Sequence, residues 1–233
     1  MKISIWSDIR CPFCYIGKKK FETALERFAH KDNVIVEWKS FELDPDLKTQ
    51  PHIGTIAYYA DVKGMGRQSA EQLFGNATQM AKEVGLDFHI ENAVTANSLN
   101  AHRLIHFAKT KGYEEVMGEA LLSAYLIEGK NIDDITYLAD LAGAIGMDKE
   151  ETTKMLVSDE YTYHVRQDQM EAKNIGVNGV PFFVLNNKYG ISGAQSPEAF
   201  LQVIEKAWNE YEKENPTLEI TKGDSCDLDG NCN

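Results

Sequence analysis

The stretch Ile3-Ser4-Ile5-Trp6-Ser7-Asp8-Ile9-Arg10-Cys11-Pro12-Phe13-Cys14-Tyr15-Ile16-Gly17-Lys18 decides how this chain is read. Its first part has the apolar pattern of a buried strand over residues 2–8. Its last part opens a helix predicted over 13–30, so Cys11 and Cys14 fall where a strand hands over to a helix. Two cysteines separated by two residues can close a small disulfide ring. The helix start supplies unpaired N–H groups that favour a thiolate at the first of them. Cys11 is therefore the candidate nucleophile and Cys14, one turn deeper, the resolving thiol. Pro12 suits a first-turn position and Phe13 offers apolar surface beside the sulfur.

Working outward, Val34-Ile35-Val36-Glu37-Trp38-Lys39-Ser40-Phe41 reads as a second strand, which completes a βαβ unit. The crossover is expected to be right-handed and the strands parallel. Cys11 then lies at the carboxyl end of the first strand, where α/β sheets hold their sites. From about residue 55 to 158 the period turns helical, with Ala70, Leu73, Phe74, Ala77, Met80, Ala81 and Val84 on one face before Gly85. Asn97 or Ser98 caps a helix toward Gly112, Tyr113 to Glu128 forms another ending at Gly129, and Asp133 or Asp134 caps one that stops near Gly146.

A helix over about 159–175 ends at Gly176. Val180–Leu185 and Lys188–Ser192 then form a hairpin around Asn186-Asn187. Ser196-Pro197-Glu198 combines an N-cap, a proline at the first helical position and an acidic first turn, and opens a helix to about residue 215. The order βαβ, helical block, helix, hairpin, helix is that of an α/β thioredoxin fold interrupted after its second strand by a large all-helical insertion. The expected divisions are 1–54 (first half of the fold), 55–158 (insertion), 159–215 (second half) and 216–233 (a polar tail holding Cys226 and Cys232).

The 233-residue chain has an ordinary apolar content and a formal charge of -12. That charge argues against nucleic-acid phosphates and anionic membrane surfaces as partners. Met1-Lys2 runs straight into a strand with no export signal, and no run of about 18 apolar residues is present, so a cytoplasmic protein is expected. In a reducing compartment a CxxC is catalytic or metal-binding rather than a structural staple. A zinc site built from Cys11, Cys14, Cys226 and Cys232 is the competing reading. The loose five-residue gap between Cys226 and Cys232 speaks against it, and no metal is expected.

Several separated motifs together resemble the FrnE-like branch of the DsbA oxidoreductases over about residues 3–210. They are Ser7 to Gly17, Phe41-Glu42-Leu43-Asp44-Pro45, Asn97 with Ala101-His102-Arg103-Leu104, Gly179-Val180-Pro181-Phe182-Phe183, and Ser192-Gly193-Ala194-Gln195. The resemblance implies a DsbA-like fold and thiol-disulfide exchange with protein or low-molecular-weight thiols, without a bound metal or organic cofactor. It implies that Val180-Pro181 is a cis-proline loop facing the CxxC and presenting backbone to a substrate. Glutathione-dependent isomerases of the 2-hydroxychromene-2-carboxylate type and kappa-class transferases resemble the same scaffold, generally with serine in place of Cys11, and form the alternative. Nothing in the sequence specifies an oligomeric state.

Glu37 and Glu42 are the carboxylates nearest the site in sequence; an exposed strand-end position is the commoner setting for such a residue. His102 and Arg103 are expected to satisfy local contacts. The His102 and His106 spacing invites a metal but lacks a third ligand in view. Cys226 and Cys232 pose a second redox pair: the chain from residue 215 to Cys226 averages about 20 Å and extends to about 40 Å, enough to reach the CxxC.

Overall fold

A computed structural model describes residues 1–216; Cys226 and Cys232 lie outside the described residues. The central sheet has the order β2-β1-β5-β6, built from β1 (Lys2–Ser7), β2 (Ile35–Ser40), β5 (Phe182–Leu185) and β6 (Tyr189–Ser192). β1 pairs parallel with β2, with Ile5 opposite Trp38 and Ser7 opposite Ser40. It pairs antiparallel with β5, with Ile3 opposite Leu185. The β5–β6 turn places Asn186 and Asn187 at φ 50° and 54°, the left-handed pair that a two-residue hairpin requires.

Helices α1 (Pro12–Glu26) and α9 (Pro197–Glu214) cover one face of the sheet. Alternation in β1 sends Ile3 and Ile5 into this layer, against Phe21, Phe183, Phe200 and Ile204. The opposite face carries Trp6, Phe182 and Val184 and meets α8 (Thr162–Asn174) through Ala172. The remaining elements are β3 (Gln50–Gly54), α2 (Thr55–Ala57), which runs into a wide turn over Tyr58–Val62, α3 (Arg67–Glu83), β4 (Val94–Thr95), α4 (Leu99–Thr110), α5 (Glu114–Leu126), α6 (Ile135–Ala144) and α7 (Lys149–Val157). They enclose a second core in which Ile9, Tyr15 and Ile16 from the CxxC segment pack among Phe88, Leu104 and Tyr125. One helix, α1, thus presents Phe21 and Ala24 to the sheet and Tyr15 and Ile16 to the insertion.

Two elements depart from the sequence expectation. The insertion is not purely helical, because β3 pairs antiparallel with β4 through an irregular register. A two-residue strand opposite one that contains Pro51 shows no period-2 pattern to read. The expected helix over 159–175 is preceded by a separate one, α7, whose Asp148 side chain accepts the Glu151 N–H. The two are divided by a turn whose left-handed residue, Tyr161, stands at φ 64°.

Packing between α1 and the loop before β5 leaves no room at Gly17: a Cβ there would stand 2.9 Å from Pro181 Cγ and 3.5 Å from Ala194 Cβ. Gly75, in α3, has nothing within 4 Å of the same position. Gly75→Ala is expected to gain the ~0.5–1 kcal/mol usual for a helix interior, whereas Gly17→Ala loses ~1–3 kcal/mol through overpacking. Urea denaturation midpoints of the two variants check the opposite signs.

Candidate active site

Cys11 is the N-cap residue of α1, with extended backbone (φ -89°, ψ 113°), and Pro12 occupies the first helical turn. Proline is tolerated there because its missing N–H has no intrahelical partner to lose. The Cys14 N–H donates to Cys11 O at 3.0 Å and the Cys11 N–H to Asp8 O at 3.1 Å, which winds the CxxC tightly onto the helix start. Both cysteines are free and buried, with 5% of Cys11 and 1% of Cys14 exposed. Phe13 is half-buried against the insertion core.

The Val180–Pro181 peptide is cis, and the Cys11 thiol lies 3.6 Å from the Val180 carbonyl oxygen. Sheet pairing brings this loop across: β5 runs antiparallel beside β1, so the start of β5 meets the end of β1. Gly193 N–H holds the Pro181 carbonyl at 2.9 Å and fixes the loop from β6.

The two sulfurs have different settings. Burial pushes the Cys14 thiol up, and the adjacent Cys11 pushes it further in the same direction; the Ser7 hydroxyl and the Asp8 N–H, 3.5 Å from Cys14 Sγ, act in the opposite sense. Cys14 is therefore held as a neutral thiol in the resting pair.

Behind Cys14 lies a carboxylate that the sequence reading assigned no role. Asp8 is 0% exposed; its Oδ1 accepts the Arg10 N–H at 3.1 Å and lies 3.4 Å from His102 Nε2, while its Oδ2 accepts the Leu43 N–H at 2.8 Å. Burial acts to raise its pKa, but the His102 contact, the Arg10 charge and the Leu43 N–H outweigh it and hold the carboxyl below its usual value. Asp8 precedes Cys11 by three residues, and that spacing to a helix start is the only signal the sequence held for it.

Glu42 corrects the expectation of an exposed strand-end glutamate. It is 1% exposed, one oxygen receives Arg166, and the other, Oε1, has no hydrogen-bond partner. Burial raises its carboxyl above the usual value and the Asp8 charge adds to this, against His102 and Arg166. Glu37 stays half-buried in ion pairs with Lys2 at 2.7 Å and Lys39 at 3.7 Å. Arg103 has the local role expected of it: it donates to the carbonyls of Met155, Ser158 and Glu160 and closes the C-terminal end of α7. His106 meets Ser40 Oγ at 3.1 Å and Asp168 Oδ2 at 3.2 Å. Among the described residues no group of three His, Cys, Asp or Glu is placed to hold a metal ion, and no helix is long and apolar enough to cross a membrane.

Residues 2–205 match the model of the DSBA-like thioredoxin domain. The chain belongs to that family. Within the DSBA-like family it is 30% identical over 207 residues to the uncharacterized protein YwbO of Bacillus subtilis, covering 87% of this chain and 94% of that one. It superimposes on a probable DsbA oxidoreductase of Streptomyces coelicolor with a TM-score of 0.85 at 36% identity, covering 100% of this chain and 98% of the other. Two structures of low identity share the fold alone. A 2-hydroxychromene-2-carboxylate isomerase gives a TM-score of 0.65 at 15% identity, and the cytosolic disulfide reductase DsbM of Pseudomonas aeruginosa, solved with GSH, gives 0.60 at 17%; each covers 92% of this chain and 98% of its own. Membership establishes a thioredoxin-like oxidoreductase scaffold.

The opposite shifts of Asp8 and Glu42 give opposite pH signatures. The depressed Asp8 contributes stability that is present above about pH 4 and lost as pH falls through its lower folded value; the raised Glu42 costs stability as pH rises above about 4.5. Asp8→Asn is expected to lose about 3 kcal/mol or more at pH 7 by breaking a buried charge cluster. Glu42→Gln raises the thermal midpoint at pH 7, and the gain vanishes near pH 4. Thermal unfolding of both variants across pH 3–8 checks the two signs.

Proposed function

We propose that the protein is a thiol-disulfide oxidoreductase of the FrnE-like branch in which Cys11 is the nucleophile and Cys14 the resolving thiol. One observation carries this reading: two free sulfurs share one helix turn, the first at the N-cap beside the Val180 carbonyl and the second enclosed beneath it. In the reducing direction the Cys11 thiolate attacks one sulfur of a substrate disulfide, the substrate S–S bond breaks, and one substrate thiolate leaves. The Cys14 thiolate then attacks Cys11 Sγ, releases the second substrate thiol, and leaves the Cys11–Cys14 disulfide; two electrons have passed to the substrate. A dithiol or two molecules of a monothiol such as glutathione resets the pair.

The loop at Val180 and Pro181 supplies backbone polar groups to an extended substrate segment, and Pro12 and Phe13 form the apolar rim next to the reacting sulfur. Protein and low-molecular-weight thiols both fit this arrangement, and the likeness to a DsbM solved with GSH supports the small-thiol branch. The reaction needs no bound cofactor, and a cytoplasmic setting agrees with a pair that rests reduced. The isomerase alternative uses the same scaffold but assigns nothing to Cys14.

The equilibrium of the Cys11/Cys14 pair against glutathione, with insulin reduction as activity, tests the reading. A reversible disulfide is expected; Cys11→Ser abolishes insulin reduction, and Cys14→Ser accumulates a mixed disulfide on Cys11. Isomerase turnover that survives in Cys14→Ser, with no reversible disulfide in the wild type, would replace this reading by the alternative. Comparison with a Cys226→Ser/Cys232→Ser variant tests the second pair: a fall in turnover at unchanged potential is the outcome expected of an electron relay.

A further inference from the structure

Resolution requires Cys14 to lose a proton, and it is 1% exposed on the inner side of α1. Its way out must therefore be built from the groups around it. Asp8 offers Cys14 only a backbone N–H, which cannot accept a proton, and its carboxylate is occupied by Arg10, Leu43 and His102. Ile5, on the same inward face of β1, is apolar and fully buried. Ser7 is the next inward residue of that strand, and its hydroxyl is hydrogen-bonded to the Cys14 thiol.

Ser7 also lines a small internal cavity of about 30 Å³ that reaches His102 and His106 on α4 and Ser40 at the end of β2. That volume holds about one or two waters, and these hydroxyls and imidazoles supply the two to four polar partners that an internal water needs. His102 Nε2 is buried and makes no good hydrogen bond, standing 3.4 Å from Asp8 Oδ1, so an imidazole that gains a proton finds a carboxylate already in place. The cavity wall continues to Glu114, half-buried, and Glu115, exposed, on α5, where it meets solvent.

We propose that the Cys14 proton leaves through the Ser7 hydroxyl and cavity water to His102, which makes Ser7 a catalytic residue of the resolving step and His102 a positioning residue for it. The inference rests on the oxidoreductase reading above. The Ser7 hydroxyl takes the thiol proton as it passes its own to water, so its protonation is unchanged; the electron pair left on Cys14 Sγ forms the bond to Cys11 Sγ, and the departing substrate thiolate takes up a proton from solvent. The other charged groups facing this path are Lys18 on α1, paired with Glu119 at 2.7 Å, Lys39 on β2, paired with Glu171 at 2.6 Å, and His106, held by Asp168 on α8. Each already has a counter-charge, whereas His102 Nε2 has the carboxylate only at 3.4 Å.

The test separates attack from resolution on the full reduced chain. Stoichiometric 5,5′-dithiobis(2-nitrobenzoic acid) releases one chromophore when Cys11 attacks and a second when Cys14 resolves. In Ser7→Ala the first phase stays within about twofold of wild type, and the second slows by about tenfold or more at pH 7, the low end of general acid–base effects. The gap narrows as pH rises and on adding imidazole as a diffusible base, and Ser7→Thr restores the second phase. His102→Gln shifts the pH profile of the second phase and leaves the first in place, which carries the test if Ser7→Ala does not fold. A second phase unchanged in Ser7→Ala, or slowed equally at every pH and deaf to imidazole, overturns the proposal. Absence of any second phase in the wild type overturns instead the oxidoreductase reading on which it rests.

Discussion

The buried Asp8 carboxylate is the joint on which this structure turns. Its two oxygens reach three separate parts of the chain: Arg10 in the loop that delivers Cys11, Leu43 just beyond β2, and His102 on α4 of the insertion. A fully enclosed carboxylate is tolerable only when its lone pairs are met, and here backbone N–H groups and an imidazole meet them. The insertion is thus tied to the thioredoxin half by an obligatory polar contact, placed one residue-step from the sulfur chemistry. Hydrophobic burial alone would hold the two halves together; the carboxylate also fixes their register, because apolar packing tolerates small slides that a charge with three assigned donors does not.

Helix α1 carries the complementary constraint. Its residues divide between two cores, Tyr15 and Ile16 toward the insertion and Phe21 and Ala24 toward the sheet. A helix wedged between two close-packed layers has no low-energy displacement, so the CxxC at its start stands on a rigid base. Gly17 extends the logic to the third partner: by omitting a Cβ it lets Pro181 and Ala194 approach α1 closely, which sets the Val180 carbonyl near Cys11. Sequence-distant segments are positioned here by missing atoms as much as by contacts.

Legibility in the sequence followed the range of the interaction that makes each feature. Local signals were readable: Pro12 after an N-cap, Asn186-Asn187 in the hairpin, and Ser196, whose side chain accepts the Ala199 N–H at 3.2 Å. The apolar face of α3 and the strand pattern of β1 were equally plain, because periodicity reports burial directly. The short β3–β4 ladder was hidden by its length. The burial of Glu42 was hidden because Arg166, 124 residues away, receives it. Asp8, Ser7 and the cavity between them and His102 depend on which helix crosses above the strand end, and no local pattern encodes that crossing. Asp148 and Glu151 did offer a capping signal for α7, an acidic N-cap with a glutamate three residues on, so that helix was within reach of the sequence.

The position of Cys14 also bears on the order of events in catalysis. Burial is the largest cause that keeps it protonated, and the second is Cys11 itself, through a shared hydrogen bond and charge repulsion. Two thiols this close titrate as a pair: ionising one makes the other harder to ionise. When Cys11 enters a mixed disulfide it no longer holds a proton or a charge, and its opposition to Cys14 disappears while the Ser7 and Asp8 hydrogen bonds remain. The resolving thiol is thus released toward its reactive form by the very bond it must break, and is kept neutral at other times. Exposure would give no such ordering, since water would screen the repulsion between the sulfurs; enclosure at the base of α1 makes the coupling strong enough to sequence the two attacks.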